Sequence, residues 1–270
     1  MSYFHSVFTR HMNIATQILE NKPEYTTQTQ CEMVIGDFAD LIQGFYINGT
    51  TYENIILVTL YIDDVPVQSF TGEWIKMYHY LRTPRQKRPL IDGNYLIVPF
   101  KKYLPIFKNS KVVVLLNTPA SITFFVDYVF LDKKPKDANL LIEQVQMVES
   151  NEPNVYLGFK RPVKELYITA DPSIEDITRI RLDINEFTKI DEVAMYFRFI
   201  QPLDYHTSVP GTFFTYSFCL DPESEFPTGS INMGRVKNQT LRLTYPGDKT
   251  IRVYAHSFNI LDKDGKLLFT

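Results

Sequence analysis

The sequence predicts an all-β protein of two tandem jelly-roll β-sandwiches with short inserted helices. Three observations predict it. The composition favours strands, with 17 Tyr and 20 Phe against one Trp among 270 residues, because aromatic and β-branched side chains suit a half-buried pleated surface. Apolar runs of strand length follow one another, several with the two-residue alternation that turns one face of a sheet into a core. The order of elements in the first half returns in the second, and strand-rich repeats of this size suggest jelly rolls.

The strand-length runs of the first half are 31–35, 44–47, 55–62, 65–70, 95–100, 112–116 and 122–131. Those of the second are 140–148, 155–159, 165–170, 177–184, 212–220, 241–245 and 251–258. Ile180, Leu182 and Ile184 take one face while Arg179, Arg181 and Asp183 take the other; Ile251, Val253 and Ala255 alternate with Arg252, Tyr254 and His256. The 11 Gly and 16 Pro punctuate the runs as turns. Two segments switch to helical spacing: Trp74, Met77, Tyr78 and Leu81 over 72–81, and Val193, Tyr196, Phe197 and Ile200 over 191–200. Thr71 is placed to cap the first, and Pro84 and Pro202 lie just past the two expected helix ends.

The repeat is carried by element order. In each half a strand leads into a helix, a loop and another strand; then a strand, a turn (117–121 or 246–250) and a long strand ending at Asp132 or Asp262. This reads as a tandem duplication, with an N-terminal arm over 1–25, a first jelly roll over 26–145 and a second over 146–270. On pattern alone a single large sandwich stays open.

Composition bounds the function. With 44% hydrophobic residues the chain can bury a substantial core. A net charge of −3 is unlike the basic excess of a general nucleic-acid binder. Cys31 and Cys219 match no metal spacing and read as free core thiols of a reducing compartment. Residues 1–11 hold no apolar segment of signal-peptide length, and no run reaches membrane-spanning length, so the expectation is a soluble chain made inside the cell.

No constellation for chemistry stands out, and no catalytic, cofactor-binding or metal-binding residue is assigned. His5, His11, His79, His206 and His256 show no metal-ligand spacing. Asp63-Asp64 reads as a turn between strands, and Asp262-Lys263-Asp264-Gly265 lacks the downstream Glu of a calcium loop. Arg82, Arg85, Lys87 and Arg88 read as a solvated loop, and Lys133, Lys134 and Lys136 as a connector between the halves. Asn48-Gly49-Thr50 and Asn238-Gln239-Thr240 are formal glycosylation sequons that matter only if the chain meets that machinery.

Several segments carry more specific information. The run from Phe4 to Ala15 holds an Arg-His-x-Asn stretch; Gly72-Glu73-Trp74-Ile75-Lys76-Met77-Tyr78 opens the first helix. Asp127-Tyr128-Val129-Phe130-Leu131-Asp132, Leu141-Ile142-Glu143-Gln144-Val145-Gln146 and Phe159-Lys160-Arg161-Pro162-Val163-Lys164-Glu165-Leu166 flank the middle. Tyr196-Phe197-Arg198-Phe199-Ile200-Gln201-Pro202, the His-Thr-x-x-Pro run over 206–210, and Tyr216-Ser217-Phe218-Cys219-Leu220-Asp221-Pro222-Glu223 follow. After them come Pro227-Thr228-Gly229-Ser230-Ile231-Asn232, Asn238-Gln239-Thr240-Leu241 and Val253-Tyr254-Ala255-His256-Ser257-Phe258-Asn259-Ile260-Leu261. In this order the segments resemble the major capsid proteins of nucleocytoplasmic large DNA viruses, as a compact member. The long surface insertions usual in that family are short here, and its Gly-rich ending is replaced by Asp262-Lys263-Asp264-Gly265-Lys266-Leu267-Leu268.

The resemblance implies a structural, non-enzymatic capsid protein of the virion, assembled in the host cytoplasm. It implies homotrimers of pseudo-hexagonal outline that tile an icosahedral shell, with self-contacts between trimers. Other capsid or membrane-associated viral proteins are further partners, and no cofactor or sequence-specific nucleic-acid binding is expected. Contacts are expected on 72–81, 82–94 and 201–211, with the segment through Ala15 as an arm beneath the shell. The alternatives are a minor capsid or scaffold component with the same fold, a carbohydrate-binding β-sandwich and, for want of a metal-ligand cluster the least supported, a jelly-roll enzyme.

Overall fold

A computed structural model describes residues 14–88, 95–132 and 139–269. The first half contains β1 (Ile14–Asn21), β2 (Tyr25–Thr26), β3 (Gln30–Val34), β4 (Leu41–Asn48), β5 (Ile55–Ile62) and β6 (Val65–Phe70). After helix α1 (Gly72–Arg82) come β7 (Leu96–Val98), β8 (Leu104–Pro105), β9 (Ser110–Leu116) and β10 (Thr123–Leu131). The second half contains β11 (Leu140–Ser150), β12 (Asn154–Tyr156), β13 (Pro162–Asp171), β14 (Arg179–Ile184) and β15 (Phe187–Val193). Helix α2 (Gln201–Tyr205) is followed by β16 (Phe214–Ser217), β17 (Ile231–Asn232), β18 (Gln239–Thr244) and β19 (Thr250–Leu261).

Four sheets result. The first half pairs β1-β10-β4-β7 in one sheet and β2-β3-β9-β5-β6 in the other; the second pairs β11-β19-β13-β16 and β12-β18-β14-β15. With the two-residue strands β2, β8 and β17 set aside, the main strands of each half, numbered in chain order, run 1-8-3-6 and 2-7-4-5. That is the same jelly roll twice, as the sequence pattern predicts. One cluster of buried side chains fills the first barrel, from Met33, Val58 and Val114 to Phe45 and Phe124, and a second fills the other, around Leu166, Ile180, Leu241 and Val253.

The duplication reaches single residues. Asp63 and Asp64 form the two-residue turn of the β5–β6 hairpin with φ of 48° and 62°, and Asn185 and Glu186 form that of β14–β15 with 49° and 70°. Both residues at positive φ is the turn geometry that matches strand twist, and Asn and Asp tolerate it best. The two hairpins bulge at the same step, between Leu60 and Tyr61 and between Leu182 and Asp183. The β4–β10 and β13–β19 pairs also share a bulge, where Gln43 and Lys164 are the skipped residues. A bulge fixes register and is retained as a designed feature.

Helix α1 begins as expected, with the Thr71 hydroxyl accepting from Trp74 N at 3.2 Å. Gly72 is required there, because a Cβ at that position would lie 1.9 Å from the Tyr52 carbonyl oxygen. Thr71→Ala should cost about 1 kcal/mol, read as a lowered urea midpoint at unchanged slope.

Two expectations about the second helix are corrected. The second helix does not span 191–200: Asp191 to Val193 continue β15, and the chain winds through a π turn at Tyr196–Ile200 into α2. Pro202 lies inside α2 rather than beyond it, in the first turn, where the missing N–H costs nothing. Residues 14–21, expected as part of an arm, form β1, the outer strand paired along its whole length with β10. β11 runs unbroken across the expected junction at 145/146. Residues 1–13, Lys133, Lys134 and Lys136 lie outside the described residues.

Candidate functional site

The side chains with unusual chemistry converge where the two barrels meet. The sheet β11-β19-β13-β16 is buried on both faces: Leu166, Ile168 and Ala255 point into its own barrel, while Tyr167, Tyr254 and His256 point towards the first. Helix α1 closes on that outer face. Trp74 is 1% exposed, stacks on Phe70 at 4.8 Å between centroids, and meets His256 at 5.1 Å and Tyr167 at 6.1 Å, both edge-on. Tyr254 donates to Glu73 at 2.5 Å, Gln68 Nε2 donates to the Glu143 carbonyl at 2.8 Å and Gln144 Nε2 to the Val67 carbonyl at 2.5 Å.

Within this seam lies a chain of buried charge. Lys164, 2% exposed, donates to Glu143 and, at 3.0 Å, to the Pro222 carbonyl. His256 Nε2 donates to the other Glu143 oxygen at 3.0 Å. His206 sits between Glu165, which it touches through Nε2, and Glu223, 3.2 Å from Nδ1. Arg82, at the end of α1, donates to the Pro222 carbonyl at 2.9 Å and lies 3.8 Å from the Tyr78 ring centre. Buried charge is stable only when paired and hydrogen-bonded, so these partners hold one another in place.

The electrostatics follow from the pairing. Burial pushes the Glu143 and Glu165 carboxyls up, but His256 and Lys164 beside the first, and His206 and Arg82 beside the second, outweigh it and hold both below the usual range. The same contest, won by His206 and Thr207, lowers Glu223 to about 2. Burial would lower His206, yet Glu165 and Glu223 raise it. Burial and Lys164 together lower His256 to about 4 despite Glu143.

The two histidines therefore act in opposite directions. His256 has a folded value below its ordinary 6.5, so its contribution is present above 6.5 and is lost as pH falls through about 4, about 3 kcal/mol in all. His206 has a raised folded value, so its contribution is present below the ordinary histidine value and is lost as pH rises through the folded one. Melting temperature against pH should fall on both sides, and His256→Gln should flatten the acid limb alone.

The sequence reading missed this seam. Its signal was a charged pair, Lys164-Glu165, inside an otherwise apolar run, and Glu143 inside another. Of the basic loop, Arg85 and Lys87 are exposed as expected, but Arg82 and Arg88 turn inward, Arg88 reaching Ser208 Oγ at 2.8 Å. Asp63 and Asp64 are turn residues, and Asp262 Oδ1 accepts from the Lys266 and Asp264 amides in a C-terminal turn. Cys31 and Cys219 are buried free thiols, the second 3.4 Å from Ser217 Oγ. Among the described residues no three His, Cys, Asp or Glu groups converge on a metal position, and no helix is long and apolar enough to cross a membrane.

Of the expected contact segments, 72–81 is consumed within the chain: Trp74, Ile75, Met77 and Leu81 are all buried. The corresponding segment of the second barrel is open, with Met195 59%, Ile200 44% and Leu203 66% exposed.

A family model for the large eukaryotic DNA virus major capsid protein matches residues 167–264, within the second barrel. A major capsid protein of Pyramimonas orientalis virus is 30% identical over 52% of this chain and 46% of its own length. One of Chrysochromulina ericina virus is 36% identical over 32% of this chain and 16% of its own length. The chain thus spans about half the length, or less, of these curated relatives. The fold is shared along nearly the whole chain with solved structures. PBCV-1 VP54, fitted into a reconstruction of the virophage Sputnik, superposes with a TM-score of 0.84 at 18% identity, covering 99% of this chain and 100% of that one. The Faustovirus major capsid protein superposes with a TM-score of 0.79 at 10% identity, covering 97% and 92%. The second barrel is thus similar in sequence to the major capsid proteins of large eukaryotic DNA viruses, and the chain shares the double jelly-roll fold of the solved structures along nearly its whole length.

Proposed function

We propose that the chain is a structural, non-enzymatic building block of a viral capsid, in which three copies form a ring of six like barrels that tiles an icosahedral shell. The observation that carries this reading is the duplication, with the same strand order, hairpin turn and bulges in both barrels. Two near-equivalent barrels per chain, repeated about a threefold axis, give a near-hexagonal outline from one gene product. Closed symmetric assembly needs repeated surfaces rather than a reactive group.

The seam supports the same reading. A tile must hold its barrels at a fixed angle, and Trp74, Arg82, the Glu73–Tyr254 hydrogen bond and those of Gln68 and Gln144 join them within each chain. The two units divide near residue 140, and the residues ahead of β1 serve as the arm beneath the shell. The protein would reside in the virion capsid after assembly in the host cytoplasm, with other capsid or membrane-associated viral proteins as further partners. Size-exclusion chromatography with light scattering tests this: the reading expects three chain masses, and a monomer at every concentration contradicts it.

A further inference from the structure

The internal repeat identifies the partner surface. The shared hairpin turn sets an offset of 122 residues (63 to 185) around the helical segments. It equates Ile75 with Phe197, both 1% exposed and both turned into their own barrels. It also equates Trp74 with Tyr196 and Tyr78 with Ile200. Trp74 and Tyr78 are the residues that cover the second barrel, lying 5.1 and 5.9 Å from His256.

The covered face repeats as well. The shared bulge aligns the pair Tyr46–Phe125 of β4 and β10 with Tyr167–Tyr254 of β13 and β19, and Asp127 with His256. In the second barrel these positions are closed over: Tyr167 and His256 are 0% and Tyr254 2% exposed. In the first barrel none of the described residues takes the place of α1. Tyr46, Phe125 and Ile97 are half-buried, Tyr95 packs edge-on against Phe125 at 5.0 Å, and Ile18, opposite Asp127, is 61% exposed.

Among the described residues one barrel thus lacks a cover, and the other carries an unused covering segment with apolar side chains facing solvent. We propose that residues 195–203 of one copy dock on the Ile18–Tyr46–Phe125 face of a second copy, repeating between chains the contact that α1 makes within one. The contact is heterologous, so it closes into a ring only if the rotation it imposes closes. It rests on the shell-building reading and names the surfaces that reading needs.

Two exposed positions allow a test that spares the fold. Ile200→Asp and Ile18→Lys should each leave the melting curve nearly unchanged and weaken association by about tenfold or more, seen by light scattering across a dilution series. In a second arm, an Ile200→Cys chain and an Ile18→Cys chain are treated with a short bismaleimide, separately and mixed; Cys31 and Cys219 are buried and do not compete. The proposal expects a cross-linked dimer only in the mixture. A wild-type trimer that both charged substitutions leave intact, or cross-linking of the Ile200→Cys chain to itself, overturns the proposed contact while the shell reading stands. A wild-type monomer throughout overturns that reading too.

Discussion

Trp74→Ala should lower stability by about 3–5 kcal/mol, the range for deleting a large buried aromatic, and should make the two barrels melt separately. The indole touches both barrels at once, through Phe70 on one side and Tyr167 and His256 on the other. Its removal opens a void at the seam rather than in either core, so cooperativity between barrels suffers with total stability. Calorimetry reads both effects: the wild type should give one transition and the variant two. A single transition shifted by less than a degree would mean that the indole does not couple the barrels.

Lys164→Met should cost about 3–5 kcal/mol, because it removes the cation from a buried carboxylate and leaves Glu143 with His256 alone. The double variant Lys164→Met, Glu143→Leu should recover part of the loss, since the unpaired charge is then gone as well. A second readout separates electrostatics from packing. Lys164 helps to hold His256 down at about 4, so in Lys164→Met the His256 value followed by NMR should rise. A loss of stability with an unmoved His256 would assign the effect to packing.

How much of this was legible in the sequence depends on what each strand faces. β5 and β6 were readable to the residue because buried apolar Val58, Leu60, Ile62, Val67 and Phe70 are interrupted by polar Thr59, Gln68 and Ser69 and by the Asp63-Asp64 turn. β1 and β15 left no such mark. β15 is exposed or half-exposed at every position, and β1 is mostly exposed, so neither has a two-residue alternation to find. β15 was accordingly overlooked at 187–190, and its last residues were drawn into a helix by the spacing of Val193, Tyr196 and Phe197. β13 hid its role differently: buried on both faces, it shows polar Lys164 and Glu165 where a core strand should be apolar, and their partners Glu143, Pro222 and His206 lie far from them in sequence. The outward alternation of Tyr254 and His256 was read correctly as a face opposite Val253 and Ala255, but not as a buried one.

The duplication was visible as element order and became specific only through backbone geometry. Asp63-Asp64 and Asn185-Glu186 share no sequence signature, yet both turn at positive φ. Gln43 and Lys164 occupy the same bulge with unrelated side chains. Register and turn type survive where side-chain identity does not, because each is set by the strand twist that closes the barrel.

Electron microscopy of the purified oligomer, averaged down its symmetry axis, probes the tile itself. Six lobes of similar size around a threefold axis are the expected image. Three compact lobes, or elongated particles with no such axis, would contradict a ring of six barrels drawn from three chains.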